Sequence, residues 1–193
     1  GVLHRMSREA IAGAQKLASN MNLSVGALAI GENADTLANE VANTNMQEVL
    51  VVKNELVASY NADGYAETIN QVIEQESPKI ITVGHTYQTR DYFPRVSAKL
   101  DIPFIPDIIS IEGGYTKQIL NAKLNATVNT NVDQIILSFQ SAAFSDESVV
   151  SGSCSARSFE VNLDPSLVRA ESEEPFQEST GDVDLESAEL IVS

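Results

Sequence analysis

The sequence has 193 residues, of which 43% are hydrophobic, and this is enough apolar surface for one packed core. Its formal net charge of −15 argues against a nucleic-acid or anionic-membrane surface, because the few basic residues are not clustered. A lone cysteine excludes an internal disulfide, zinc-ligand spacing is absent, and no apolar run approaches the ~20 residues of a membrane span.

Helical and strand patterns alternate over the first 83 residues. Apolar residues at intervals of three and four predict an amphipathic helix over residues 7–21, with Ser7 as its N-cap. The remaining predicted elements are strands over residues 24–30, 48–52 and 79–83, and helices over residues 34–42 and 64–75. Short, all-apolar strands between helices are typical of a parallel sheet covered on both faces. The predicted fold class is therefore α/β, with an open, mostly parallel sheet and helices on both faces.

The pattern changes after residue 84. A polar loop over residues 85–89 precedes a predicted helix over residues 90–100, with Pro94 in its first turn. Four β-rich runs then follow without helices between them, so we predict an antiparallel β extension of the sheet. These runs are residues 104–111, 115–120, 123–130 and 134–139.

The chain becomes acidic beyond residue 160. Residues 160–193 hold ten carboxylates and a single base, Arg169, until an apolar, strand-like run over residues 188–192. We therefore assign residues 1–160 to one α/β domain and residues 161–193 to an acidic linker that leads into a further domain.

Motifs for catalysis are missing from the sequence. Neither GxGxxG, GxxxxGK[ST] nor GxSxG occurs, and the small-residue loop at Gly152 does not open a predicted helix. Cys154 has no neighbouring base to activate it, which favours an inert thiol. Helix ends and turns account for Asp91, Asp101 and Asp107. We predict no catalytic residue and no metal site.

Three residues after the strand over residues 79–83 are candidates for binding. His85 stands at the carboxyl end of that strand, the edge where open α/β sheets keep their ligands. Arg90 and Arg95 flank two aromatic residues at the start of the next helix, where an acidic group on an anion or a partner chain would compensate them. The alternative, an exposed loop histidine beside core aromatic residues, stays open.

Residues 84–107 carry a family resemblance. Their sequence, GHTYQTRDYFPRVSAKLDIPFIPD, resembles the electron-transfer flavoprotein alpha subunit, in which a strand-end glycine precedes a Pro-Arg-Val-x-Ala-x-Leu helix and then an aspartate before a strand. The resemblance extends over about residues 6–144. Two family motifs are altered here: Lys-Leu-Asn-Ala at residues 123–126 replaces a Gly-Asn-Ala, and Phe-Gln-Ser-Ala-Ala-Phe at residues 139–144 replaces an Arg-Pro-x-Ala-Phe. Any role of the replaced residues does not carry over.

The resemblance implies a fold and a function. It implies an N-terminal domain, similar to the adenine nucleotide alpha hydrolase-like fold, that pairs with a beta subunit and supports a C-terminal FAD domain. The FAD contacts are expected after residue 193, and the family's first strand is expected before the helix over residues 7–21. The family carries electrons from dehydrogenases to a quinone reductase or another acceptor, in bacterial cytoplasm or the mitochondrial matrix. We therefore expect an electron-carrier subunit, not an enzyme, with no cofactor within residues 1–193.

Two alternatives remain open from the sequence. A nucleotide-handling enzyme on the same kind of sheet, such as an adenine-nucleotide hydrolase or an amide-forming ligase, would need a Ser-Gly-Gly-x-Asp-Ser loop, which is not in the sequence. A stand-alone partner-binding module without flavin would need no such motif.

Overall fold

The computed structural model describes residues 3–170, and these form four α-helices and eight β-strands. In chain order they are α1 (Arg5–Met21), β1 (Ala27–Ile30), α2 (Ala34–Val41), β2 (Glu48–Val52), α3 (Ala62–Glu76), β3 (Ile80–Gly84), α4 (Tyr87–Leu100), β4 (Phe104–Ser110), β5 (Tyr115–Ile119), β6 (Leu124–Val128), β7 (Ile135–Phe139) and β8 (Ser155–Ser158). The predicted linker residues 171–193, including the strand-like run over 188–192, lie outside the described residues.

Helix starts follow local capping chemistry, and two of them differ from prediction. The N-cap of α1 is His4, whose Nδ1 accepts from the Met6 amide, so the assignment of Ser7 as the cap is wrong. Helix α4 begins at Tyr87 because the Thr86 hydroxyl accepts from the Thr89 amide at 3.1 Å, which places most of the predicted loop inside the helix. Pro94 is consequently the eighth residue of α4 and not part of its first turn.

The strands form two sheets. The first has the order β1-β2-β8, with parallel pairing throughout, and the second has the order β3-β7-β4-β5-β6. The predicted parallel strands and the antiparallel β4-β5-β6 extension are confirmed. The prediction that residues 134–139 form an antiparallel strand is wrong, because β7 lies between β3 and β4 and is parallel to both. All five residues of β7 are buried, as expected of a central strand.

The short strand β8 has no strong sequence signal. Its four residues, Ser-Ala-Arg-Ser, are all exposed, and they pair in parallel with β2. Beyond β8 the chain stays packed on the body past residue 160, because Phe159 and Leu163 are buried against β2 and α3. Gln71 of α3 also exchanges two hydrogen bonds with the backbone of Asn162.

Helices cover the sheets on both faces. On one face, α1 packs on β4 and β7, and α2 packs beside it over β1 and β2. On the other face, α3 and α4 pack together around Tyr92, Phe93 and Val96. Phe139 of β7 is 1% exposed and lies under α1, so its burial contributes about 1.5–3 kcal/mol to the free energy of unfolding. The carboxyl ends of β3, β4 and β7 meet at one edge, where the candidate residues lie.

Candidate functional site

His85 lies at the carboxyl edge of the second sheet, as its strand-end position predicts. Its amide donates to the carbonyl oxygen of Phe139 at 2.8 Å, which holds the loop after β3 against the end of β7. Its Nδ1 is 2.8 Å from the Oγ of Ser138. The tertiary fold thus brings together two residues that are 53 positions apart in the sequence.

A bulge in β4 brings Asp107 to the same place. The β4-β7 register shifts between Ile105 and Ile108, and Asp107 adopts a positive φ of 64°, a conformation that Asp tolerates better than most residues. Its amide donates to Ser138 Oγ at 3.1 Å, and Gln140 Nε2 donates to its Oδ2 at 3.3 Å. We name His85, Asp107, Ser138 and Gln140 the His85 cluster.

The hydrogen bonding and electrostatics of the cluster favour a neutral imidazole. Burial lowers the pKa of His85 below its ordinary value; the charge of Asp107 opposes this shift, and those of Arg90 and Lys117 add to it. Ser138 Oγ accepts a hydrogen bond from the Asp107 amide, so its own hydrogen is available to donate to His85 Nδ1. This arrangement suits a neutral imidazole that carries its proton on Nε2.

The arrangement differs from a Ser-His-Asp triad in two respects. Ser138 is fully buried, with 0% exposure, so no substrate carbonyl can reach its hydroxyl. The hydrogen-bond partner of the Asp107 carboxylate in the cluster is Gln140, whereas a triad aspartate would orient the imidazole. The cluster therefore fixes the loop after β3 against β4 and β7, and it leaves the partly exposed imidazole as a polar group at the sheet edge.

Arg90 lies near this edge, on the first turns of α4. Its guanidinium lies 5.5 Å from the ring centroid of Tyr87, a cation–π contact on the surface. Tyr87 is 87% exposed, which is unusual for an aromatic residue and suits a contact surface. His85 and Arg90, two of the three predicted residues, are thus brought together.

Arg95 belongs to a different place, a cleft of about 340 Å³ between α3 and α4. Its guanidinium donates to Asp63 at 2.9 Å and to Asp91 at 3.1 Å, and Arg169 donates to Asp63 at 2.8 Å. Hydrogen bonds from Arg169 are the largest cause that lowers the pKa of Asp63. Burial, followed by the hydrogen bond to Asp91, raises the pKa of Tyr60 in the same cleft. Arg95 is therefore engaged within the chain, and its predicted anion or partner contact stays a prediction.

The remaining motifs occupy structural positions. The amide of Gly152 donates to the Asn43 carbonyl, and the loop pairs with the turn after α2 through an isolated bridge between Thr44 and Ser151. Cys154 is partly buried against the core beneath α2. Within residues 3–170, no cluster of His, Cys, Asp and Glu is suited to hold a metal ion. No helix in this part of the chain has the length and apolar character to cross a membrane.

The β5-β6 hairpin exposes an apolar face. Because residues alternate sides along a strand, Ile119, Leu124 and Val128 share one face, whereas Thr116 and Thr127 share the other. The exposed fractions on the first face are 37% for Ile119, 55% for Leu124 and 36% for Val128. Strand β6 also ends the sheet, so one of its edges has no strand neighbour among the described residues. We call this surface the hairpin face.

Comparison with known proteins decides the family. A family model described as "Electron transfer flavoprotein domain" matches residues 1–164. The chain belongs to this family. The resemblance carried by residues 84–107 is confirmed.

Relatives of this electron transfer flavoprotein domain are longer than the chain. "Electron transfer flavoprotein subunit alpha" of Bacillus subtilis (strain 168) is 30% identical over 199 residues, covering 100% of the chain and 60% of the relative. The protein with the same name from Thermoanaerobacterium thermosaccharolyticum is 26% identical, covering 100% of the chain and 61% of the relative. "Probable electron transfer flavoprotein subunit alpha, mitochondrial" of Caenorhabditis elegans is 28% identical over 66% of the chain and 39% of the relative. The chain thus spans about 60% of the length of the first two relatives.

The turn from β3 to α4 of this electron transfer flavoprotein domain has no open space beside Gly84 for a flavin pyrophosphate. A pyrophosphate would approach backbone amides at a turn from strand to helix, and Gly84 stands at such a turn between β3 and α4. A Cβ added to Gly84 would lie 3.1 Å from the carbonyl oxygen of Met6, so the first turn of α1 already fills that space. A carbonyl oxygen there would also repel a phosphate.

Proposed function

We propose that this chain is the N-terminal scaffold domain of an electron-transfer flavoprotein alpha subunit. In this proposal it pairs with a beta subunit and supports a C-terminal domain that binds FAD. The full protein carries electrons from dehydrogenases to a quinone reductase or another acceptor, in bacterial cytoplasm or the mitochondrial matrix. Relatives that bear the alpha-subunit name along the whole chain support this assignment.

The hairpin face is the feature that best supports pairing with a beta subunit. Burying its apolar residues against a partner would stabilise the complex by roughly 25 cal/mol for each Å² of apolar surface removed from water. The open edge of β6 offers backbone groups to an added strand. Lys117, which lies on β5 and shares the hairpin face with Ile119, and Lys123, which precedes β6, favour an acidic partner surface. His85, Arg90 and the exposed ring of Tyr87 provide a second, polar contact at the carboxyl edge.

Electron transfer places few demands on this domain. The flavin supplies the redox chemistry when it is bound, and a scaffold contributes orientation and a binding surface. The described residues would accordingly contribute binding surface and orientation, and the redox chemistry would belong to the flavin.

The direct test is a visible absorption spectrum. We expect flavin bands between about 350 and 500 nm from the full-length gene product co-expressed with its neighbouring open reading frame, and none from residues 1–193 alone. A colourless, monomeric product in the co-expressed sample would refute the proposal and favour a stand-alone binding module.

A pair of variants tests the hairpin face. Leu124→Asp places a charge on the apolar face and is expected to weaken beta-subunit binding by about 2 kcal/mol, or roughly 30-fold in Kd. Asn125→Asp adds the same charge on the opposite face of β6 and serves as the matched control. Equal binding of the two variants, measured by calorimetry, would show that the hairpin face is not the interface.

A further inference from the structure

The chain that follows β8 runs along α3. Three contacts mark its course, and each successive contact lies closer to the N-terminus of that helix. They are Arg157 Nη2 with Glu76 at 2.7 Å, the Asn162 backbone with Gln71 through two hydrogen bonds, and Arg169 Nη2 with Asp63 at 2.8 Å. We call residues 157–169 the strap. It is antiparallel to α3.

The two ends of the strap are held by different forces. Near its start, Phe159 and Leu163 are buried in the apolar cluster that also contains Val72 of α3. None of residues 164–170 is buried. Within residues 3–170, all hydrogen bonds from this last part of the strap to the rest of the fold are donated by Arg169 to Asp63. The start of the strap therefore has an apolar anchor, and its end has an ionic one.

Asp63 is a well-formed acceptor for this arginine. The backbone amide, Nε and Nη2 of Arg169 lie 3.3, 3.4 and 2.8 Å from its carboxylate oxygens. The Asp63 side chain is 11% exposed, whereas that of Arg169 is 74% exposed. Dissolved ions can reach and screen the arginine, and such screening weakens an ion pair but not the burial of apolar side chains.

We propose that Arg169 and Asp63 form a salt-sensitive latch, whose release frees residues 164–170 from α3 while Phe159 and Leu163 stay packed. In the latched state the chain leaves the body at the cleft between α3 and α4. In the released state it leaves after Leu163, and the freed residues extend the reach of the chain that follows by up to roughly 20 Å. The latch thus sets the length of a tether. It is independent of the proposed function, because it concerns only how residues 157–170 attach to α3.

Trypsin provides the test, because Arg169 is the single Lys or Arg within residues 160–193. The protease cleaves after Arg169 only when the guanidinium leaves Asp63 and enters the acidic specificity pocket of trypsin. We expect the 193-residue chain to be cleaved there more slowly than a synthetic peptide of residues 164–175. Asp63→Asn should speed this cleavage about 5-fold, measured by mass spectrometry. Equal rates in the parent chain and Asp63→Asn would overturn the proposal.

Two controls separate the latch from general loosening. Asp91→Asn removes the same charge from the same cleft, where Asp91 pairs with Arg95 and not with Arg169, and it should leave the cleavage rate unchanged. Arg157, which is held by Glu48 and Glu76, reports release of the whole strap, so cleavage after it should not change in either variant. Faster cleavage after Arg169 in Asp91→Asn, or faster cleavage after Arg157 in Asp63→Asn, would overturn the latch.

The salt dependence of cleavage tests the ionic nature of the contact. Raising the salt concentration from about 0.01 M to about 1 M shortens the screening length from about 30 Å to about 3 Å. The cleavage rate after Arg169, divided by that of the peptide in the same buffer, should rise towards the value for Asp63→Asn, whereas the ratio for Asp63→Asn should stay constant. A parent ratio that does not depend on salt would show that other contacts hold the end of the strap, and the proposal would be wrong.

Discussion

Gly13 determines how closely α1 approaches β7, and its replacement tests that packing. A Cβ added at Gly13 would lie 2.7 and 2.9 Å from two ring carbons of Phe139 and 3.0 Å from a ring carbon of Phe144. Carbon atoms in ordinary contact are about 3.5–4.0 Å apart, so the Cβ of Gly13→Ala requires a shift of nearly 1 Å. Both rings are buried and in edge contact with each other, which leaves little room for such a shift.

Two opposing effects set the magnitude for Gly13→Ala. Alanine favours a helix over glycine by about 1 kcal/mol, whereas overpacking a close-packed core costs about 1–3 kcal/mol. We expect a net loss of about 1 kcal/mol in the free energy of unfolding, measured by urea denaturation, and a Tm lower by roughly 2–4 °C. Asn20→Ala, at an exposed position of the same helix, is the control and should raise stability by a few tenths of a kcal/mol.

A double mutant isolates the contact. Adding Phe139→Leu to Gly13→Ala removes the ring that the new methyl group meets. The double mutant should therefore lose less free energy of unfolding than the two single mutants lose in sum, by at least about 0.5 kcal/mol. A Gly13→Ala protein that is more stable than the parent by the full helix-propensity gain would refute the close approach of α1 to β7.

Three further predictions concern the polar groups. Ser138→Ala leaves the Asp107 amide without its buried partner and should lower the free energy of unfolding by about 1–3 kcal/mol in urea denaturation, whereas exposed Ser148→Ala should change it by less than about 0.5 kcal/mol. His85 should titrate in NMR below its ordinary pKa, and Lys117→Ala should raise that value. Because the folded-state pKa of His85 is lowered, the unfolded chain binds the proton first as the pH drops. The free energy of unfolding should therefore fall as the pH drops from about 6.5 towards the folded-state pKa. A contribution of His85 that does not change with pH in this range would contradict the assignment. Asp63→Asn removes the shared partner of two exposed arginines and should lower the free energy of unfolding by about 1 kcal/mol. The difference should vanish in acid, where the carboxylate of the parent protein is itself protonated.

Local patterns predict the early elements well. Strands β1, β2 and β3 and helices α2 and α3 lie within a few residues of their predicted bounds. Such elements are determined by short-range periodicity and capping, which the sequence displays directly. The start of α4 is missed because Thr86 and Thr89, which form its cap, also suit a polar loop.

Sequence patterns predict only part of the candidate site. The position of His85 after an apolar run predicts its place at the carboxyl edge. Its partners Ser138 and Asp107 are missed, because one lies in a buried strand and the other at a bulge, and neither feature has a local signature. The alternation of apolar and polar residues along β6 is the signal that could have revealed the hairpin face.

The sequence by itself determined the α/β class, the family and the alternation of strands and helices, because these depend on composition, periodicity and a contiguous motif. Only the tertiary structure decided that β7 lies between β3 and β4, that His85 meets Ser138, and that β1 and β3 face each other across a groove. A strand's partner is chosen by burial and by backbone hydrogen bonds between segments far apart in the chain. A local pattern indicates that a segment forms a strand, and the tertiary packing determines which other strand pairs with it.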